Sequence, residues 1–200
     1  MTERTIAVVT AGLTTPSSTR LLADRLTAAV RDQLDGRGTA YRVVVVELRD
    51  IAHDLTNNLL TGFPSKELSA VLQSVVGADA LIAVTPTFSA SYSGLFKTFF
   101  DVLDDQALAG KPVLIAATGG TERHSLILDF ALRPLFTYLK AIVMPTGVYA
   151  ASSDWGTDAG KLHTRIDRAA AELVDAMSNE RHAVADPYAN PTPFEDLLNS

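Results

Sequence analysis

Three short stretches of the chain hold the residues able to do chemistry. They are rich in hydroxyls, glycines and small side chains rather than acids, bases or thiols. The first, residues 10–20, reads Thr-Ala-Gly-Leu-Thr-Thr-Pro-Ser-Ser-Thr-Arg and leads straight into a helical pattern. A helix start exposes unpaired N–H groups and the positive end of its dipole. Gly12, Thr14, Ser17, Ser18 and Thr19 are therefore candidates to hold a phosphate, with Arg20 close by. Ser and Thr are also ordinary helix caps, but one cap needs one hydroxyl, and this run is denser than that. The second stretch, residues 85–97, carries Pro86, Thr87, Phe88, Ser89 and Ser91, which could let the backbone approach a flat ring. Phe88 and Tyr92 could pack near that ring, or in the core or an interface. The third, residues 117–124, contains Thr118, Gly119 and Gly120 and ends on His124. Paired glycines permit positive φ and leave N–H groups open to ring carbonyls, although a tight turn alone would use them too. His124 reads as a cap or polar edge more readily than as a catalyst.

Several chemistries are excluded by what is missing. The 200 residues include no cysteine, which removes disulfides, thiolate nucleophiles, iron–sulfur clusters and zinc–thiolate sites together. Redox chemistry would then need a bound cofactor. Neither G-x-G-x-x-G nor G-x-x-x-x-G-K-[ST] occurs, which argues against a Rossmann dinucleotide site and a P-loop. No G-x-S-x-G elbow exists, and His53, His163 and His182 lack metal-ligand spacing. The net charge is −6 and no basic stripe stands out, so nucleic-acid binding is not expected. The start lacks the apolar core of a signal peptide, and no apolar run is long enough to span a bilayer. A soluble, cytoplasmic protein without membrane contact is the expectation.

The elements that must position these stretches follow from periodicity. Apolar runs at 6–10, 41–48, 80–84 and 112–118 hardly alternate with polar residues, which marks strands buried on both faces and hence parallel. A fifth run, 142–149, is interrupted by Pro145 and Gly147. Helical spacing predicts helices over 18–34, 66–76, 94–103, 125–139 and 160–177. This alternation predicts an α/β fold, a flavodoxin-like three-layer sandwich with a five-stranded parallel sheet of order 2-1-3-4-5. In such a sheet ligands bind at the carboxyl ends of the strands near the reversal of strand order, where the three stretches fall. Residues 1–182 form the expected domain. The tail at 183–200, with Pro187, Pro191, Pro193, Phe194, Leu197 and Leu198, is either a frayed terminus or an arm that docks on a partner subunit.

At these stretches the chain resembles the NADPH-dependent FMN reductase family, closest to the branch that supplies reduced flavin to sulfonate monooxygenases. Residues 12–20 resemble the family's phosphate loop. Residues 85–97 are similar to its Pro-x-Tyr-x-x-x-x-x-Gly-x-x-Lys segment, and Ala117-Thr118-Gly119-Gly120 with His124 is similar to the branch's Ala-Thr-Gly-Gly-x-x-x-His. Leu13 replaces the usual Ser, Thr15 stands near the usual Arg, and Phe88 replaces the usual Tyr. The resemblance spans about residues 4–150. It implies non-covalent FMN reduced by NADPH or NADH, hydride transfer with no catalytic protein residue required, and often release of the product to a flavin-dependent monooxygenase. It also implies a homodimer or homotetramer with the flavin near the subunit interface. The loop from Tyr149 to Gly156, with Trp155, could border the exposed flavin face. A quinone or azo reductase on the same fold, and a flavodoxin-type electron carrier, remain alternatives at this stage.

Overall fold

Strand β1 (Arg4–Thr10) shows how the sequence builds its layers. Ile6 and Val8 point into one core cluster, Ala7 and Val9 into the other, and all four are buried. A strand covered on both faces cannot alternate apolar with polar, which is why the run is continuously apolar. The computed structural model describes residues 3–156 and 159–178, and the tail assigned to 183–200 lies outside them. β2 (Tyr41–Glu47), β3 (Ala80–Phe88) and β5 (Pro112–Gly119) complete the parallel centre, while β4 (Ser91–Tyr92), β6 (Ile142–Val143) and β7 (Val148–Ala151) are short. The path runs β2-β1-β3-β5-β6, with β7 also on β5 and β4 folded back on β3. The five-stranded order 2-1-3-4-5 is thus present, with its last strand in two pieces. Both pieces pair parallel with β5, from Pro112↔Ile142 through to Gly119↔Ala151. The break falls at Pro145, which has no N–H to give the ladder. Glu172 substitutes there, accepting from the Thr146 amide and hydroxyl at 2.7 Å each.

Helices α1 (Ser18–Gly36) and α6 (Ala159–Ser178) cover one face. α2 (Ala52–Thr61), α3 (Lys66–Val76), α4 (Gly94–Asp101) and α5 (Arg133–Tyr138) cover the other. α2 escapes the periodicity reading because it buries only Leu55 and Asn58 and leaves Leu59 and Leu60 exposed. The helix expected over 125–139 is instead a π turn at Leu128–Leu132 running into α5. Pro134 explains this: it lacks an N–H for the Phe130 carbonyl and its ring crowds that oxygen, so the wider turn is adopted. The other face of the sheet is anchored by Phe96, Phe99, Phe100 and Phe136, with Phe96–Phe100 centroids 4.7 Å apart and Phe100–Phe136 4.9 Å.

The second chemical stretch is a hairpin. β3 runs past the sheet edge and returns as β4, pairing Thr87↔Tyr92 and Phe88↔Ser91 around Ser89 and Ala90. Both turn residues have positive φ, 48° and 66°. That is the mirror-image turn that two-residue hairpins favour, usually with Asn or Gly in place of Ser and Ala. An alanine in the left-handed region is strained. Ala90→Gly is expected to raise unfolding stability by about 1 kcal/mol, read from urea melts at unchanged m-value.

Candidate functional site

The carboxyl ends of β1, β3 and β5 lie side by side, with Thr10↔Val84 and Pro86↔Thr118 as neighbours. The connection after β1 leads to β2 on one side, and β3 returns on the other, so the reversal of strand order falls between β1 and β3. At its mouth sits the start of α1. Ser17 is the N-cap, its hydroxyl accepting from the Arg20 amide at 3.2 Å. The amides of Ser18 and Thr19, at the first helical positions, have no intrahelical acceptor and are suited to an anion. Gly12 is required beneath them, because a Cβ there would lie 2.1 Å from the Ser17 hydroxyl.

The hydroxyls of this loop have divided roles. Thr14 donates to the Pro16 carbonyl at 2.9 Å, and Ser18 is exposed. Thr19 is buried, and its hydroxyl shares a 2.8 Å hydrogen bond with that of buried Thr118 at the end of β5. The first and third stretches are thereby joined. Arg20 turns toward β2, pairing with Asp24 at 2.8 Å and with Glu47. The Asp24 hydrogen bond leads the interactions that hold its pKa above the usual arginine value.

The second and third stretches meet at Gly119. A Cβ there would fall 2.1 Å from the Tyr149 hydroxyl and 3.5 Å from that of Thr87. Tyr149 donates to the Thr121 carbonyl at 2.8 Å, so it fixes the turn that follows the glycines. The Thr87 hydroxyl is buried beside that of Tyr149. Gly120 has open space around its α-carbon. The exposed Phe88, Ser89 and Ala90 form the tip of the hairpin, behind half-buried Pro86 and Ser91. Ala90 and Ser91 share a cavity of about 520 Å³ with Arg123 and His124. His124 is exposed at the end of a single 3₁₀ turn, Glu122–His124.

Trp155 packs against the α1–α6 core cluster, with the Arg25 guanidinium 4.8 Å from its ring centre. Arg49, which the loop-by-loop reading passed over, reaches back from beyond β2 to donate to the Thr14 carbonyl at 3.3 Å and to the Thr15 hydroxyl. Applying the carboxyl-end rule to β2 as well as its neighbours would have found it. Tyr149, expected at the end of the fifth strand and the start of the loop to Gly156, also packs under Gly119. Among the described residues no cluster of His, Asp or Glu could hold a metal ion, and no helix is long and apolar enough to cross a membrane.

The NADPH-dependent FMN reductase family model matches residues 4–156. An FMN reductase (NADPH) of Pseudomonas aeruginosa is 43% identical over 152 residues, 75% of this chain and 78% of the relative. An NADH-dependent FMN reductase, SfnE, of Pseudomonas putida is 34% identical over 186 residues, 92% of this chain and 97% of the relative. The crystal structure of an oxidoreductase from Corynebacterium diphtheriae superimposes with a TM-score of 0.86 at 46% identity, covering 89% of this chain and 98% of that one.

The Gly119–Tyr149 contact is open to a double-mutant cycle. Gly119→Ala is expected to cost about 2 kcal/mol through overpacking, and Tyr149→Phe about 1 kcal/mol through its lost hydrogen bond. The double variant should be more stable than the sum predicts, since removing the hydroxyl makes room for the methyl. Tyr149 also carries a pH signature. Burial is the main cause that lifts its pKa above 10.0, with the Thr87 hydroxyl opposing. A raised folded pKa gives stability that is complete below the unfolded pKa and lost as pH rises through the folded one. Urea melts on the alkaline side should show that loss in the wild type and less of it in Tyr149→Phe.

Proposed function

The chain belongs to the NADPH-dependent FMN reductase family, and on that premise we propose that it reduces FMN with a nicotinamide nucleotide at the carboxyl edge of its sheet. The observation that carries this reading is a continuous row: free amides at the start of α1, the Thr19–Thr118 bond, then Gly119, Gly120 and the hairpin. The row has one anion-binding end and one flat end, which suits a ring bearing a phosphorylated side chain. The donor set fits FMN. Ser17, Ser18 and the α1 amides would hold the phosphate, and Gly12 keeps that cradle open. Thr14 and Thr19 shape its loop. Pro86, Thr87, Phe88, Ser89 and Ser91 would border the ring. Thr118, Gly119 and Gly120 would meet its polar edge, with His124 at the rim.

When bound, FMN supplies the redox chemistry, accepting a hydride from the nicotinamide ring. The chain's own contribution is positional. The α1 start and the Ser17 cap anchor one end of the ligand, so the ring is presented at a fixed depth. The hairpin would border the ring. Amides at Gly119 and Gly120 would oppose negative charge at its polar edge. No protein acid or base is assigned a proton, and none is needed for hydride transfer.

The remaining parts of the reading concern context. The enzyme would work in the cytoplasm, where nicotinamide nucleotides are replenished, and would pass reduced flavin to a flavin-dependent monooxygenase. It would act as a homodimer or homotetramer. Exposed Leu126, Phe130 and Tyr138 form an apolar surface of the kind that self-association buries.

Anaerobic titration tests the proposal. FMN should bind saturably at about micromolar levels, and NADPH or NADH should then bleach the flavin absorbance. Turnover should rise with added free FMN. Turnover that ignores FMN but follows an added quinone would instead identify a quinone reductase. Bound flavin that neither nucleotide bleaches would identify an electron carrier.

A further inference from the structure

Resting on that functional reading, we propose that Arg49, at the exit of β2, is the residue that supplies positive charge to the flavin phosphate and so sets preference for FMN over unphosphorylated riboflavin. A phosphate monoester carries about −1.5 to −2 charges at neutral pH, while a helix start offers only about +0.5. The loop from Gly12 to Thr19 contains no basic residue, and the chain as a whole is at −6. A cation supplied from elsewhere would strengthen the hold on a dianion there.

The nearest cation in sequence is not free to act. Arg20 is engaged on both sides, its Nε donating to Asp24 Oδ1 at 2.8 Å and its Nη1 to Glu47 Oε1. Arg49 differs. Its Nη1 lies against the phosphate loop itself, donating to the Thr14 carbonyl at 3.3 Å and to the Thr15 hydroxyl. Those residues stand two and three positions before the Ser17 cap, at the mouth of the anion site.

The rest of the guanidinium is held in place. Its Nε is buried and makes no hydrogen bond among the described residues, yet it lies 3.2 Å from Glu47 Oε2 and 3.4 Å from Asp50 Oδ1. Glu47 serves both arginines at once, so its single charge is shared. Asp50 is two-thirds exposed and screened by solvent. Both carboxylates meet Arg49 through Nε, so its Nη edge stays directed at the loop. A guanidinium has five donors in a rigid fork, enough to grip Thr14 and Thr15 while presenting others to a phosphate. Glu47 acts as the positioning residue: it fixes the plane of that fork from behind.

The test compares FMN with riboflavin, which lacks only the phosphate, by titrating the full chain and its Arg49→Ala and Arg49→Lys variants at low and high salt. Arg49→Ala is expected to weaken FMN by about ten- to a hundredfold, with riboflavin changed by less than about twofold, as for loss of a charged hydrogen-bond partner. The salt dependence of FMN binding should flatten in the same variant, and Arg49→Lys should fall between. FMN affinity within about twofold of wild type in Arg49→Ala overturns the assignment. Equal weakening of FMN and riboflavin also overturns it, because Arg49 would then merely shape the loop. Wild-type chain that takes up FMN and riboflavin alike overturns the assignment too, whereas one that takes up neither defeats the functional reading before any variant is made.

Discussion

The arrangement turns on one buried hydrogen bond, the 2.8 Å contact between the hydroxyls of Thr19 and Thr118. Thr19 belongs to the first turn of α1 and Thr118 to the end of β5, 99 residues apart. Between them stands β3, so the bond pins the helix start across the width of the strand that separates them. A buried hydroxyl left alone costs about 1–3 kcal/mol, so each threonine needs the other. The anion-binding end of the site is thereby placed at a set distance from the Gly119–Gly120 turn. Gly12 and Gly119 serve the same end by leaving no Cβ to push the neighbouring side chains away.

That bond explains which parts of the molecule were legible from sequence and which were not. The central strands and α1, α3 and α6 were readable because burial on both faces, or along one stripe, imposes a local pattern. α2 was not, since its buried stripe is only Leu55 and Asn58. The π turn was hidden in a helical pattern that Pro134 modifies. For the site, the three stretches were visible as unusual composition at the ends of strands. The partners were not. That Thr19 faces Thr118, that Tyr149 sits under Gly119, and that Arg49 bends back to Thr15 are tertiary facts between residues far apart in the chain. Residue type announced where chemistry would gather; only packing could say which hydroxyl is already spoken for.

The hairpin illustrates how local strain is tolerated. Ser89 and Ala90 occupy backbone conformations that L-residues avoid. Their flanks leave them no choice. The Thr85 hydroxyl accepts from the Ser93 amide at 3.1 Å, and the Ser93 hydroxyl in turn caps α4 at Phe96. Phe96, Phe99 and Phe100 then bury that helix against Phe136. The tip is held because both of its ends are fixed in the core, which is the condition under which strained turns persist. A loosely anchored loop of the same sequence would relax, and the ring platform would lose its shape.

The two ends of the row are built from different physics, and this separates two properties that other sites entangle. One end is electrostatic: a helix start, a guanidinium and a shared carboxylate at the exits of β1 and β2. The other is geometric: glycines that permit close approach, a stiff hairpin and the neutral hydroxyls of Thr87 and Tyr149. In the proposed binding, charge at the first end would act on the phosphate, which no hydride transfer alters, and shape at the second would act on the ring, which hydride transfer does alter. Occupancy would then be tuned through residues such as Glu47 and Arg49 without touching the reacting edge, and reactivity through the glycine turn without touching the anchor. The Thr19–Thr118 bond fixes the spacing between the two ends, so each could vary while a ligand spanning both stayed in register.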